Sequence, residues 1–298
     1  MRIAAVRRDA GEATMGDGFD LEKYLIHSKK VDVSDIDFSE AARHPLSADE
    51  IRCLTYMMDV ETHTIVYLRG LLNTCAIEDL HLCAFLSCWV YEEHFHGRTI
   101  RQVLQGAGVH VPPQRFAEVQ RSASLRERLE DVAAALLCRF SRHFHAAYLT
   151  WGAINELTTY EAYNNLKRRT ANPILAEALS RLMKDERRHF AFYYNSAKAR
   201  LAPEPAQRLV TFLLKRFWTP VGSGVKPDPE VDWTLRFIFD DEAGRESLAY
   251  IDRTIAKLPG LGWFNMVGRS FERALAAASP APRGSAARPL GAAQAQRS

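Results

Sequence analysis

Six side chains of metal-binding type recur along this 298-residue chain in an ordered series. The series is a single Glu, a Glu-x-x-His pair, a second single Glu and a second Glu-x-x-His pair. Its members are Glu61, Glu93, His96, Glu156, Glu186 and His189. A spacing of three puts the Glu and the His of each pair on one helix face, a turn apart. Four carboxylates and two imidazoles suit two fairly hard metal ions, whereas zinc usually takes fewer ligands.

Each of these side chains interrupts an apolar helical stripe. Around Glu93 and His96 the stripe consists of Leu82, Phe85, Leu86, Trp89, Ile100 and Val103. Burying an unpaired carboxylate is costly, so such a position normally has a partner or a metal. One Glu-x-x-His often arises by chance, but two copies with two single Glu match the ligand set of di-iron and di-manganese bundles. The alternative is that the helix faces are misassigned and these residues lie elsewhere.

The residues that flank the two pairs predict a supporting layer. Glu92 precedes Glu93, and Asp185 precedes Glu186. Metal-bound histidines usually donate their second ring N–H to a carboxylate. We therefore predict contacts across helices, from Asp185 to His96 and from Glu92 to His189; the alternative is that both acids face solvent. Metal-free protein should then hold its bridging acids with raised pKa values.

Four long helices are needed to position this series, and the sequence predicts an all-α fold with a crossover connection. Ser47 with Glu50 is a capping box, and Asn172-Pro173 is a second helix start. The predicted long helices span about 47–72, 77–104, 125–169 and 172–201, with shorter helices near 205–217, 230–257 and 263–276. We expect a ferritin-like four-helix bundle with additional C-terminal helices.

Composition divides the chain into three parts. We expect a partly mobile N-terminal extension over 1–40, the helical domain over 41–277, and a disordered tail over 278–298, rich in Ala, Pro, Arg and Gly. Without the three arginines of the tail, basic and acidic residues are equal in number. This balance argues against a nucleic-acid binder.

The cysteines and the hydropathy bear on localisation. The five cysteines include no Cys-x-x-Cys pair, and most lie among apolar neighbours, which predicts free thiols in a reducing compartment. No stretch has the roughly 20 apolar residues of a membrane span, and the N-terminus has no signal-peptide pattern. The sequence thus favours a cytoplasmic protein.

Three segments resemble the soluble acyl-[acyl-carrier-protein] desaturases. Residues 89–97 (WVYEEHFHG) are similar to the first iron motif of that family, residues 185–189 (DERRH) to its second, and residues 155–159 (NELTT) to its third-helix Gln-Glu-x-x-Thr. The resemblance covers roughly residues 47–200. It implies a ferritin-like fold and an oxygen-dependent di-iron enzyme.

The resemblance also implies a role for each residue. Glu61 and His96 would be terminal ligands of one iron, and Glu156 and His189 of the other. Glu93 and Glu186 would bridge, with Glu92, Asp185 and Trp89 supporting them. Thr159 would lie beside the oxygen-binding face as a candidate for proton delivery; the alternative is a packing hydroxyl.

The expected reaction is desaturation of a fatty acyl chain bound to acyl carrier protein, with electrons from a ferredoxin-type donor. The cofactor would be two Fe ions, or Mn in their place, and the family implies a homodimer. A di-iron tailoring oxygenase, acting as hydroxylase or N-oxygenase, is the alternative enzyme. An iron-storage or peroxide-scavenging ferritin relative is the alternative of another class, and a helical scaffold with a vestigial site is a fourth.

Two departures from known patterns bear on the substrate. Phe95 stands where the desaturase motif has Arg, which removes part of its supporting network. Leu182 stands where the related arylamine N-oxygenases have an additional His four residues before the second pair. His63, His143 and His145 are predicted to be non-ligands because of their spacing from the site.

Overall fold

The computed structural model describes residues 19–121, 138, 141 and 143–278. Among these the protein is helical, with no β-strand and one isolated bridge between Ser223 and Lys226. The predicted all-α class is confirmed. Residues 1–18 and 279–298, which belong to the predicted extension and tail, lie outside the described part. None of the described helices has both the length and the apolar character needed to cross a membrane.

Ten α-helices and two short 3-10 helices are described. The α-helices are α1 (Leu21–His27), α2 (Ala48–Leu72), α3 (Leu80–Gly106), α4 (Arg115–Arg121), α5 (Phe144–Arg169), α6 (Pro173–Arg200), α7 (Glu204–Phe217), α8 (Asp228–Phe239), α9 (Glu242–Ile255) and α10 (Met266–Ala278). The 3-10 helices are Phe38–Arg43 and Cys75–Glu78. The N-terminal helix α1 and both 3-10 helices were not predicted from the sequence.

Polar side chains start the long helices as the sequence predicts. The Ser47 hydroxyl accepts the backbone N–H of Glu50, and the Glu50 side chain accepts the N–H of Ser47 in return, so the capping box of α2 is confirmed. Asn172 accepts two N–H groups at the start of α6, with Pro173 as the first helical residue. These contacts satisfy N–H groups that a helix cannot pair internally.

Two predicted helices were wrong in their extent. The predicted 125–169 helix is interrupted: Cys138 is helical, Ser141 and His143 are not, and α5 begins at Phe144. Residues 122–137, 139–140 and 142 lie outside the described part. The predicted 230–257 helix is two helices. The helix is interrupted at Asp241, because the Asp241 carboxylate accepts the backbone N–H of Gly244 and caps the start of α9.

The four long helices form an antiparallel bundle in the spatial order α2, α3, α6, α5. Between α2 and α3, Tyr67 lies beside Trp89 whereas the backbone of Met58 lies beside Gly97, so the two helices run in opposite directions. The same reversal holds between α3 and α6, where Phe85 stacks on Phe192. Helices α5 and α6 are also antiparallel, since Tyr148 lies beside Tyr193 and Glu156 beside His189. The end of α3 and the start of α5 therefore lie at opposite ends of the bundle.

Glycine allows close helix approach at the middle of the bundle. A Cβ atom on Gly97 would lie 2.9 Å from the Thr62 hydroxyl oxygen, and one on Gly152 would lie 2.4 Å from the ring of Tyr193. Both distances are below normal contact, so each position accepts only a residue without a side chain. The consequence is that α2 approaches α3, and α5 approaches α6, at the levels of Glu61 and Glu156.

The C-terminal helices cover one side of the bundle. Helices α7 and α9 pack on α5, and α8 packs on both α2 and α5. Val231, Leu235 and Ile238 bury the inner face of α8. The additional helices thus form a wall beside α2 and α5 rather than a separate core.

The cysteine prediction requires a correction. Cys75 and Cys138 are joined in a disulfide across a sequence separation of 63 residues, whereas Cys53, Cys83 and Cys88 are free. No sequence pattern indicates this pair, because the two cysteines meet only through the tertiary fold. The expectation of free thiols was therefore wrong for Cys75 and Cys138.

A buried acid links α2 to α4 and to the loop after α7. Asp59 exposes 1% of its side chain. Arg115 donates to both of its carboxylate oxygens, at 2.7 and 2.6 Å, and Lys226 forms a second ion pair with it. Two cations on one buried carboxylate fix the positions of two segments outside the bundle.

We expect Asp59→Ala to lower the free energy of unfolding by about 3 kcal/mol, because Arg115 and Lys226 lose their common partner in a largely buried place. The control is Glu204→Ala, which breaks an exposed pair with Arg208 and should change stability by less than about 1 kcal/mol. Urea unfolding measures both variants. Equal effects would show that the buried cluster does not stabilise the fold.

Candidate metal centre

The six predicted ligand residues meet in the middle of the four-helix bundle. All are buried, and the least buried, Glu156, exposes 6% of its surface. They form two overlapping groups of four, in each of which one ligand atom per residue lies within 4.8 Å of the others. One group is Glu61, Glu93, His96 and Glu186; the other is Glu93, Glu156, Glu186 and His189. The six residues, which are spread along the sequence, therefore form one cluster in the fold.

The overlap distinguishes the inner from the outer carboxylates. Glu93 and Glu186 belong to both groups, whereas Glu61 and Glu156 each belong to one. His96 Nδ1 lies 3.0 Å from Glu186 and 3.3 Å from Glu93. His189 Nδ1 lies 3.0 Å from Glu93 and 3.5 Å from Glu156. Such an arrangement provides two adjacent positions for cations, with two carboxylates between them.

The cluster has polar atoms that the protein alone leaves unsatisfied. His96 Nδ1, His189 Nδ1 and Glu186 Oε1 are buried and make no hydrogen bond of acceptable geometry. Buried polar atoms in folded proteins are almost always satisfied. All three belong to residues of the cluster, and oxygen with imidazole nitrogen is the donor set that iron and manganese accept. The residues present therefore fit a pair of metal ions.

Carboxylates from the opposite helix orient both imidazoles. His96 Nε2 lies 3.2 Å from Asp185 on α6, and His189 Nε2 lies 2.7 Å from Glu92 on α3. Both cross-helix contacts are the predicted ones. Since a carboxylate accepts, each ring donates from Nε2 and turns Nδ1 toward the cluster, where Nδ1 would bind a metal ion after losing its proton.

Glu92 is itself held by residues that sequence reasoning missed. The Tyr24 hydroxyl donates to it at 2.8 Å and the Ser28 hydroxyl at 2.9 Å, both from the N-terminal part of the chain. Arg188 donates to Glu92 at 3.2 Å and to Asp185 at 2.6 Å. Arg188 adjoins His189 in sequence and could have been considered. No sequence pattern indicates the role of Tyr24, because 68 residues separate it from Glu92.

The outer carboxylates are each bound by an aromatic donor. Trp89 Nε1 donates to Glu156 at 3.0 Å, which gives the predicted support from Trp89 a definite contact. The Tyr163 hydroxyl donates to Glu61. Tyr163 lies seven residues after Glu156 and hence on the same face of α5, but that spacing does not predict its contact with Glu61 on another helix.

Burial and mutual charge set the protonation of the metal-free cluster. Burial and the charge of Glu93 hold the pKa of Glu61 well above its usual range, and burial does the same to the pKa of Glu156. Burial alone would lower the pKa of His96, but the charge of Glu93 raises it well above normal. The carboxylates of Glu156 and Glu186 beside the ring outweigh burial in the same way and raise the pKa of His189. These four groups therefore favour their protonated forms in the metal-free cluster, and a bound cation would have to displace those protons.

The expectation of raised pKa values at the bridging positions was wrong for Glu93. Burial would raise the pKa of Glu93, but the charge of His96 and the hydrogen bond from Glu61 hold it well below normal. Glu93 lies between both histidines and therefore keeps its negative charge. The raised pKa values belong instead to the outer acids, Glu61 and Glu156.

The remaining candidates lie outside both groups of four. Glu161 is buried one turn beyond Glu156 but accepts the Ser247 hydroxyl at 2.7 Å, away from the cluster. His63, His143 and His145 belong to neither group, and Leu182 is a fully buried apolar residue. Thr159 is half-buried and lines a cavity with Glu61.

That cavity is the apolar approach to the cluster. It lies between α2, α5 and α8, and its volume is about 50 Å³. Its walls include Met57, Ala162, Leu235 and Phe239, and Glu61 forms the end nearest the metal ligands. The Thr234 hydroxyl in the wall is buried and makes no hydrogen bond. An apolar compartment with one free hydroxyl therefore adjoins one edge of the cluster.

No family model matches the chain, and neither a curated protein nor a solved structure matches it. The site is therefore defined by its own geometry: a buried set of four carboxylates and two imidazoles that could hold metal, in an all-α protein.

We expect Glu156→Gln to reduce the bound iron from about two ions per chain to one or fewer after anaerobic loading, because an amide is a poorer ligand than a carboxylate. Glu161→Gln is the matched control on the same helix, buried but outside the cluster, and should retain the full amount. Elemental analysis of the desalted proteins measures the difference. Equal iron contents in the two variants would contradict the assigned ligand set.

The pH dependence of stability should differ between the metal-free and the metal-loaded protein. The raised pKa values of Glu61, Glu156, His96 and His189 mean that their protons stabilise the metal-free fold below the unfolded values of 4.5 and 6.5. That stabilisation is lost as the pH rises through the raised folded values. Metal binding requires the same protons to leave, so it is favoured at high pH.

Thermal unfolding from about pH 6 to about pH 9 tests this expectation. The range begins near the ordinary pKa of histidine and extends above it. The Tm of chelator-treated protein should fall with rising pH, while the gain in Tm on adding iron should increase. A metal-free Tm that rises throughout this range would be the opposite of the expected result.

Proposed function

We propose that the buried cluster holds two iron ions and that the protein is a ferritin-like, oxygen-dependent di-iron oxidoreductase. The observation that carries the proposal is the pair of overlapping four-residue groups, with His96 Nδ1, His189 Nδ1 and Glu186 Oε1 left unsatisfied. The bundle order, the crossover and the desaturase-like motifs around Glu93, Glu156 and Glu186 support the same class.

The ligands divide as the resemblance implies. Glu61 and His96 would hold one ion, Glu156 and His189 the other, and Glu93 and Glu186 would lie between them. Manganese suits the same donor set and is the alternative occupant. Two bound irons would supply the redox chemistry with oxygen that oxidation of an unactivated C–H bond requires.

The surrounding residues keep the ligands in place and control protons. Asp185 and Glu92 hold the imidazoles, Trp89 holds Glu156 by its indole N–H, and Tyr163 donates its hydroxyl proton to Glu61. Thr159 lines the cavity next to Glu61, where its hydroxyl can pass a proton to an oxygen atom at the cluster. The apolar walls exclude water from this side.

The substrate that the resemblance implies is a fatty acyl chain carried by acyl carrier protein. Desaturation removes two hydrogens from adjacent carbons, and a ferredoxin-type donor would provide the two further electrons that oxygen requires. The apolar walls beside Glu61, formed by Met57, Ala162 and Phe239, suit a hydrocarbon. By the same resemblance the protein would act as a homodimer in the cytoplasm.

A compact substrate is the second candidate, and the cavity size favours it. A volume of about 50 Å³ is below the roughly 300 Å³ of ordinary ligand pockets. A long chain would require α8 or the loop before it to move away from α2. A tailoring hydroxylation or N-oxygenation of a small molecule needs less displacement and would use the same cluster.

Product analysis of a single turnover tests the proposed activity. Iron-loaded protein is reduced, mixed with oxygen and acyl-carrier thioesters of several chain lengths, and the acyl groups are examined by mass spectrometry. We expect an unsaturated acyl product. Hydroxylated acyl product would favour the oxygenase reading, and large mineral-filled shells without any product would favour iron storage.

Ala162→Phe is the matched variant for the cavity. The added ring fills the space beside Glu61 and should lower turnover by at least about tenfold, while metal content stays at two ions because residue 162 is not a ligand. Unchanged turnover in a correctly folded, fully loaded variant would show that the substrate approaches the cluster from another side.

A further inference from the structure

A second, larger depression lies on the outer face of α3, away from the cavity beside Glu61. It is bounded by residues 30–38, by the outer side of α3 from Phe95 to Gln105, and by Phe116 on α4. Its volume is about 600 Å³, within the usual range of small-molecule sites. We call it the α3 groove.

The α3 groove contains three cations that have no carboxylate partner. Lys30, Arg98 and Arg101 line it, and none of them makes an ion pair with a residue in the described part of the chain. Elsewhere arginine is commonly paired: Arg115 with Asp59, and Arg200 with Asp79. Uncompensated positive charge in a concave site favours an anionic ligand.

One of these cations has a donor group that is buried and unused. Arg101 Nε is inaccessible to solvent and makes no hydrogen bond. Its guanidinium lies 5.3 Å from the ring centre of Phe116. The ring lies beside the guanidinium but cannot accept the Nε–H in place of an oxygen, so this buried donor lacks an acceptor.

The only acid in the lining is already engaged. Asp32 accepts the backbone N–H and the hydroxyl of Ser34, at 3.2 and 2.7 Å, and these hydrogen bonds lower its pKa. The single negative charge of Asp32 can therefore balance at most one of the three cations. A ligand with two negative charges would balance the groove.

Aromatic surface lies beside each cation. Phe95 is half-buried, with the Arg98 guanidinium 5.7 Å and the Lys30 ammonium 6.0 Å from its ring centre. Phe95 is also the residue that departs from the desaturase motif. Its side chain lines the α3 groove and not the metal cluster, so this departure changes the outer face of α3.

We propose that the α3 groove binds an organic phosphate with a flat apolar body, for which a nucleoside monophosphate is the simplest form. Arg98, Arg101 and Lys30 would hold the phosphate, because a guanidinium presents paired N–H donors that match its oxygens. Phe95 and Phe116 would contact the flat body. The assignment uses no metal ligand and is independent of the proposed oxidase activity.

Calorimetric titration of the full-length protein with three probes tests the proposal. AMP carries both the phosphate and the ring, inorganic phosphate carries only the charge, and adenosine only the ring. We expect AMP to bind at least about tenfold more tightly than either of the others. An affinity for AMP no greater than that for inorganic phosphate would overturn the proposal, and so would no binding of AMP.

Variants assign the binding to this groove. Arg101→Gln and Phe95→Leu should each weaken AMP binding by at least about fivefold while leaving bound iron and Tm unchanged, since neither residue belongs to the metal cluster. Arg208→Gln, an exposed arginine on α7, is the control and should bind AMP as the parent protein does. Equal affinity in all three variants would place the ligand elsewhere and refute the proposal.

Discussion

The fold depends on a single constraint: six ionisable side chains have to be buried together in the apolar middle of a helical bundle. Each isolated carboxylate or imidazolium would be expensive there. The structure reduces the cost by placing the positive and negative groups within contact of one another, with the inner acid Glu93 between the two histidines. Bound metal ions would supply the same neutralisation, at the cost of displacing the protons of the cluster.

The contacts around the cluster also set the register of the helices. Trp89 joins α3 to α5, Tyr163 joins α5 to α2, and the two carboxylate–histidine contacts join α3 to α6. Sliding any long helix by one turn would separate a ligand from its partner. The polar centre therefore specifies one alignment, whereas apolar packing alone tolerates several.

The sequence was sufficient for the features that depend on local spacing. Glu-x-x-His on an apolar stripe identified four cluster residues, and the order of the single acids identified Glu61 and Glu156, all of which the structure brings together. Local capping also gave the starts of α2 and α6. Features that arise from tertiary contact were not accessible: the Cys75–Cys138 bond, and the support of Glu92 by Tyr24. The break at Asp241 was missed because its neighbours keep helical periodicity on both sides.

The placement of α1 has a consequence for the order in which the protein assembles during synthesis. Tyr24 leaves the ribosome long before Glu92, and the His189 that shares Glu92 with it is made near the end of the bundle. Tyr24 therefore reaches its partner only after a further 68 residues have been made. A helix of seven residues is too short to be stable by itself, so α1 depends on its packing against α3.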